Sequence, residues 1–198
     1  MMKRCIFWLL IFMVNMISSA PAFSAGADIW SALKQGGYVI LIRHGAVDNL
    51  SRSTSPDADF EGCEGQYNLT DEGRDQVKHL GIALKKRKIP IGDVQASPLC
   101  RTRDTARIAF GGFRVFSLLE PLPESDLEDR RQRIDAITRV IADHKGRENL
   151  VLVTHQPNID VLTLEVADFA TMVVVKPDGK GGFKVIRKLP PKEWRMDR

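Results

Sequence analysis

Two short, uninterrupted apolar runs constrain this chain more than any other feature. Residues 38–42 read Tyr-Val-Ile-Leu-Ile, and residues 150–153 read Leu-Val-Leu-Val. Neither alternates with polar residues, and neither is long enough to make a helix of its own. Each therefore predicts a β-strand covered on both faces, which is the habit of parallel strands in α/β folds. Each run also ends on a histidine: Arg43, His44 and Gly45 follow the first, and Thr154 and His155 follow the second.

The rest of the chain alternates around these strands. Residues 28–35 predict a short amphipathic helix stopped by Gly36 and Gly37, and residues 45–68, rich in Ser, Asp, Gly and Pro, predict a long loop. Thr70 caps a helix with Asp71 and Glu72 in its first turn and ends it before Pro90. A strand at 94–96 follows, then a helix with Ser97 as N-cap and Pro98 at its first position, stopping at Gly111. Residues 113–118 predict a strand, and Ser125 with Glu128 a capping box for a helix to about His144. After the second buried strand come a short helix near 159–164 and a hairpin, 172–176 with 183–188, around the turn Asp178 to Gly182. The fold class is α/β: a three-layer arrangement with a mostly parallel central sheet, helices on both faces and a C-terminal β-hairpin.

The first residues stand apart. Lys3 and Arg4 precede an apolar run from Cys5 to Ile17, then small residues and Pro21, the layout of a secretory signal peptide. The run is shorter than the roughly 20 residues a membrane-spanning helix needs. Cleavage after Ser24 is expected, with Ala22 and Ala25 as alternatives, leaving residues 25–198 as one exported domain with no stable membrane insertion. Its loss removes Lys3 and Arg4 and no acid, so the formal charge falls from +4 to +2, too little to argue for nucleic acid. The basic cluster Lys85, Lys86, Arg87 and Lys88 closes a predicted helix, where cations complement the dipole. Cys5 leaves with the signal, so Cys63 and Cys100 remain as an even pair in an oxidising compartment, and a disulfide between them is expected.

Ligands of open α/β sheets gather at the carboxyl ends of the strands. His44 and His155 both stand there, Arg43 adjoins one of them, and Arg101 lies in the first turn of a helix that follows another strand. A single strand-end histidine is most often structural. Two histidines with two guanidinium groups make a pocket for an anion, and phosphate matches the forked donors of arginine. A histidine there can attack phosphorus if its reacting nitrogen is bare and its other nitrogen donates to a backbone carbonyl.

Arg43-His44-Gly45 after an apolar strand, the segment Ser97-Pro98-Leu99-Cys100-Arg101-Thr102-Arg103-Asp104-Thr105-Ala106, and Val153-Thr154-His155 together resemble the histidine phosphatase superfamily, the phosphoglycerate mutase-like fold. Asn68-Leu69-Thr70 with Gly73 resembles the family's helix start after the first loop. The resemblance implies that His44 is the phosphorylated nucleophile. It also implies that Arg43 and Arg101 bind phosphate, that His155 is the second phosphate-pocket histidine, and that Gly45 permits close backbone approach. It implies no metal or cofactor. The exported, cysteine-paired form is similar to small periplasmic members, among them lipopolysaccharide-core heptose phosphatases.

The chain departs from the family pattern after the triplet, where Ala46 and Val47 stand in place of a frequent Thr. A proton donor for the leaving group is expected to be a carboxylate. Glu120 and Glu124 are the positional candidates and Asp48 a weaker one; a solvated loop charge is the competing reading for each. Gln156 stands where phytase-like members carry an acid, which argues against that branch. The expected function is hydrolysis of a phosphorylated small molecule or a cell-envelope phosphosugar in the periplasm. The alternatives are a catalytically weak phosphate- or phosphosugar-binding protein and a phosphomutase.

Overall fold

The structure, a computed structural model, describes residues 28–48 and 62–195. The expected signal segment 1–24 and residues 49–61 of the long loop lie outside the described residues. Among the described residues no helix is long and apolar enough to cross a membrane.

Helix α1 (Ile29–Gln35) leads into β1 (Val39–Arg43), and α2 (Asp71–Lys86) leads into β2 (Ile91–Ala96). Then come α3 (Cys100–Phe110), a two-residue β3 (Arg114–Val115), a 3-10 turn (Ser117–Leu119) and α4 (Leu127–Ala142). The chain closes with β4 (Asn149–Thr154), α5 (Gln156–Thr163), β5 (Met172–Pro177), β6 (Phe183–Leu189) and a one-turn α6 (Pro191–Trp194). The strands form one sheet in the order β3-β2-β4-β1-β5-β6. Pairings among β1, β2, β3 and β4 are parallel, and the β5–β6 hairpin adds antiparallel beside β1.

Both faces of the sheet are covered, as the continuous apolar runs require. Ile40, Ile42, Val151 and Val153 point into one core with Leu33, Val77, Leu80 and Trp194; Val39, Leu41, Leu150 and Leu152 point into the other with Ile137, Ile141 and Ile159. Each such side chain removed from water stabilises by about 1.5–3 kcal/mol. The two central strands are thus the most firmly held part of the molecule, and their ends are rigid platforms. The register pairs Arg43 with Thr154, so the two histidines that follow emerge side by side.

Several local expectations are corrected. Ser97 is not a helix cap: α3 starts at Cys100 with Leu99 as N-cap, because the Ser97 hydroxyl is engaged elsewhere. The predicted strand at 113–118 shrinks to Arg114–Val115 at the sheet edge, with Phe116 and the 3-10 turn carrying the chain back toward β4. The capping box with Ser125 does not form; the Asp126 carboxylate accepts from the amides of Glu128 and Asp129, a stronger charge-assisted cap. Thr70 caps α2 as expected, accepting from Gly73 N.

Candidate active site

Gly45 is where the triplet meets α2. A Cβ there would lie 2.7 Å from the Gly73 carbonyl oxygen, and one on Gly73 would lie 2.1 Å from the Ala46 oxygen. Glycine at both positions lets the turn after β1 lie directly on the helix. The Ala46 and Val47 pair is held through its backbone: Gln76 Oε1 accepts from Ala46 N, Thr70 N donates to Ala46 O, and Val47 bridges to Leu69.

The His44 ring is buried, and its Nδ1 lies 2.8 Å from the Gly45 carbonyl oxygen. A carbonyl can only accept, so Nδ1 carries the proton and Nε2 keeps its lone pair. Burial first, then the charges of Arg101 and Arg43, hold the imidazole down to about 3 against the opposing pull of the Gly45 carbonyl. His44 is therefore a neutral base at any physiological pH.

The His155 ring lies edge-on to it, with centroids 5.4 Å apart. Its Nε2 is 2.9 Å from Ser97 Oγ, which also accepts from Leu99 N. This contact engages Nε2 and leaves Nδ1 as the ring nitrogen without a neighbour; where the Ser97 hydroxyl donates to Nε2, the proton of the neutral ring sits on Nδ1. His155 Nδ1 is buried and has no hydrogen-bond partner among the described residues. Burial, then Arg101, His44 and Arg43, hold this ring neutral as well.

Arg43 lies over the Phe169 ring at 4.0 Å and donates from one Nη to the Ala167 carbonyl oxygen, while its Nε has no partner among the described residues. Burial lowers its pKa, opposed by the charges of Asp168 and Asp160. Arg101, in the first turn of α3, is brought down to about 10 mainly by burial and remains charged at neutral pH. The α3 helix is locked to the triplet by Thr105, whose hydroxyl accepts from Gly45 N at 3.0 Å and donates to the Arg101 carbonyl oxygen at 2.7 Å. The expected disulfide joins Cys63 to Cys100, the residue before Arg101, and Gln66 Oε1 accepts from Cys100 N.

Two half-buried guanidinium groups beside two buried, neutral imidazoles gather hydrogen-bond donors and positive charge at one place. An anion with several oxygens satisfies both.

The two glutamates separate. Asn158, fully buried on α5, donates to the carbonyl oxygens of Leu119 and Glu120 and accepts from Leu122 N, and Thr154 Oγ1 donates to the Leu119 carbonyl oxygen. The chain at Glu120 is thereby pinned to the end of β4 with its side chain half-buried, whereas Glu124 and Asp48 are exposed. Residues 97, 105, 158 and 169 had no place in the sequence-derived site. Ser97 carries the local signature of a cap, Thr105 has no distinguishing signal inside the Arg101 segment, and nothing local marks Asn158 or Phe169, since their partners are distant in sequence.

Comparison with known proteins agrees with this picture. Residues 39–121 match the family model of the histidine phosphatase superfamily (branch 1). Among solved structures, the protein histidine phosphatase SixA complexed with tungstate superposes with a TM-score of 0.54 at 19% identity, covering 78% of this chain and 97% of that one. A phosphoserine phosphatase mutant from Entamoeba histolytica in complex with phosphoserine gives 0.55 at 14% identity, over 79% and 98% of the two chains. YhfR of Bacillus stearothermophilus gives 0.56 at 18%, over 75% and 94%. At these identities the likeness is one of fold. A curated relative, agropine synthesis reductase of Rhizobium rhizogenes, is 36% identical over 90 residues, 43% of this chain; the chain spans about a fifth of its length, 20%. The family model thus matches this chain over residues 39–121, and the shared fold and the strand-end constellation agree with that match to the histidine phosphatase superfamily.

Proposed function

We propose that this protein is a phosphomonoesterase that works through a phosphohistidine on His44. The observation that carries the proposal is the fixed tautomer of His44: Nδ1 bound to the Gly45 carbonyl oxygen, Nε2 bare, in a ring that stays neutral beside two arginines. Nε2 attacks phosphorus and the bond to the ester oxygen breaks, while Arg43, Arg101 and the His155 Nδ1–H compensate charge on the equatorial oxygens. The departing oxygen takes a proton from a carboxylic acid, for which Glu120 is the better placed candidate. The resulting carboxylate then takes a proton from the water that cleaves the phosphohistidine and releases inorganic phosphate.

Export through the N-terminal segment and a substrate outside the cytoplasm, a phosphorylated small molecule or an envelope phosphosugar, belong to the same proposal. They rest on the basic and apolar character of residues 3–17 and on the Cys63–Cys100 bridge, which suits an oxidising compartment. Hydrolysis of para-nitrophenyl phosphate, whose leaving group needs little acid help, is expected for the native protein and is expected to vanish in His44→Ala. Phosphate binding without turnover at any pH would instead make the pocket a binding site. Fractionation of cells expressing the full chain tests export, with retention in the cytoplasm at full length as the opposing result.

A further inference from the structure

Phe169 is half-buried, yet among the described residues it belongs to neither hydrophobic core. Its ring instead meets the two residues that end β1. The Arg43 guanidinium carbon stands 4.0 Å from the ring centroid, and the His44 ring lies 5.6 Å away, tilted by 46°. An aromatic side chain that serves stability is buried among apolar neighbours; this one faces a cation and an imidazole. The turn that carries it is fixed to the backbone of the same two residues: Ala170 N donates to the His44 carbonyl oxygen and Arg43 N to the Thr171 carbonyl oxygen, both at 3.1 Å. Ala170 is buried with a left-handed φ of 56°, unfavourable for a residue with a Cβ, and its carbonyl oxygen accepts from Trp194 Nε1 at 3.2 Å. Ring and guanidinium are thus held from one backbone framework.

The kind of contact matters for what Arg43 can still do. Arg43 gives one Nη–H to the Ala167 carbonyl oxygen at 2.7 Å, and its buried Nε has no partner among the described residues. A carboxylate beside Arg43 would hold it as firmly, but would occupy its forked N–H groups and offset its charge. The face of a phenyl ring attracts the cation through its quadrupole and takes no N–H. Phe169 therefore restrains the guanidinium while leaving its donors and its charge for an anion.

We propose that Phe169 is the positioning residue for Arg43, holding the guanidinium by its ring face so that the remaining N–H groups meet the phosphoryl group. The role rests on the phosphomonoesterase reading for the identity of the anion, but affinity tests it apart from turnover.

Calorimetry with inorganic phosphate on the native protein, Phe169→Leu and Phe169→Tyr separates a ring face from mere apolar volume. Phe169→Leu is expected to weaken phosphate by about five-fold or more, and Phe169→Tyr, which keeps the ring face, to stay within about two-fold of the native protein. The KM for para-nitrophenyl phosphate is expected to follow the same order. Native affinity in Phe169→Leu, or Phe169→Tyr as weak as Phe169→Leu, overturns the proposal, as does a native protein that binds no phosphate. Should Phe169→Leu fail to fold, Phe169→Met, likewise apolar and without a ring, takes its place with the same expected loss. The leucine–tyrosine split in affinity without any turnover would sink the phosphomonoesterase reading and leave the role of Phe169 standing. Turnover with equal affinities across the variants would do the reverse.

Discussion

The Nδ1 of His44 and the carbonyl oxygen of Gly45 lie 2.8 Å apart, so the residue after His44 decides which of its ring nitrogens is bare. Burial of the same ring makes His44 a titration probe. In the unfolded chain the imidazole ionises near 6.5; in the folded protein burial, then Arg101 and Arg43, hold it down to about 3. Between those values the unfolded state binds a proton that the folded state refuses. The contribution is therefore complete above pH 6.5 and is lost as pH falls through this window, at up to about 1.4 kcal/mol per pH unit. Denaturant unfolding at pH 7 and pH 5 is expected to show a smaller pH-dependent loss in His44→Asn than in the native protein. Equal losses would contradict the buried, neutral ring.

Gly73 is predicted to be intolerant of alanine. Its Cβ would meet the Ala46 oxygen at 2.1 Å, forcing α2 off the turn that carries His44. Gly73→Ala is expected to cost roughly 1–3 kcal/mol of overpacking and to lower kcat/KM as well. Gly112, where a Cβ would meet nothing within 4 Å, is the control, and Gly112→Ala is expected to change the melting temperature little.

The disulfide adjoins Arg101, the proposed phosphate ligand. Replacing Cys63 and Cys100 by alanine is expected to cost about 2–4 kcal/mol, since the bridge closes 37 residues of sequence, and to raise KM as the chain before Arg101 loosens. Reductant added to the native protein should reproduce the KM change and should do nothing to the double variant. A KM that is the same with and without the bridge would show that Arg101 is positioned by Gln66 and Thr105 alone.

Glu120 and Glu124 are separated by a leaving-group comparison. Glu120→Gln is expected to lower kcat for an alkyl phosphate by about 10²–10⁴ and to affect para-nitrophenyl phosphate much less. Glu124→Gln is expected to change neither. Asn158→Ala, which frees the Glu120 segment, should move kcat for the alkyl ester in the same direction as Glu120→Gln; an alkyl-selective loss in Glu124→Gln would reverse the assignment.

The sheet and the strand-end histidines were legible because burial on both faces writes continuous apolar runs at 38–42 and 150–153, and function places unusual residues just past them. What eluded the sequence is long-range. Ser97-Pro98 carries the local signature of a helix start, but its hydroxyl is claimed by His155 across 58 residues. Phe169 approaches Arg43 and His44 only because the hairpin pairs with β1, and α6 forms because Trp194 packs into the core and donates to the Ala170 carbonyl oxygen. The predicted strand at 113–118 failed because an edge position gives its apolar residues only one partner strand.

The central claim is that phosphorus bonds to His44. Rapid denaturing quench during turnover of a labelled phosphomonoester, followed by mass spectrometry of peptides kept at alkaline pH, tests it most directly. The account predicts an acid-labile phosphate on the peptide containing His44 and none on that containing His155. Steady turnover with no phosphorylated His44 at any quench time, or label on His155 instead, would contradict it.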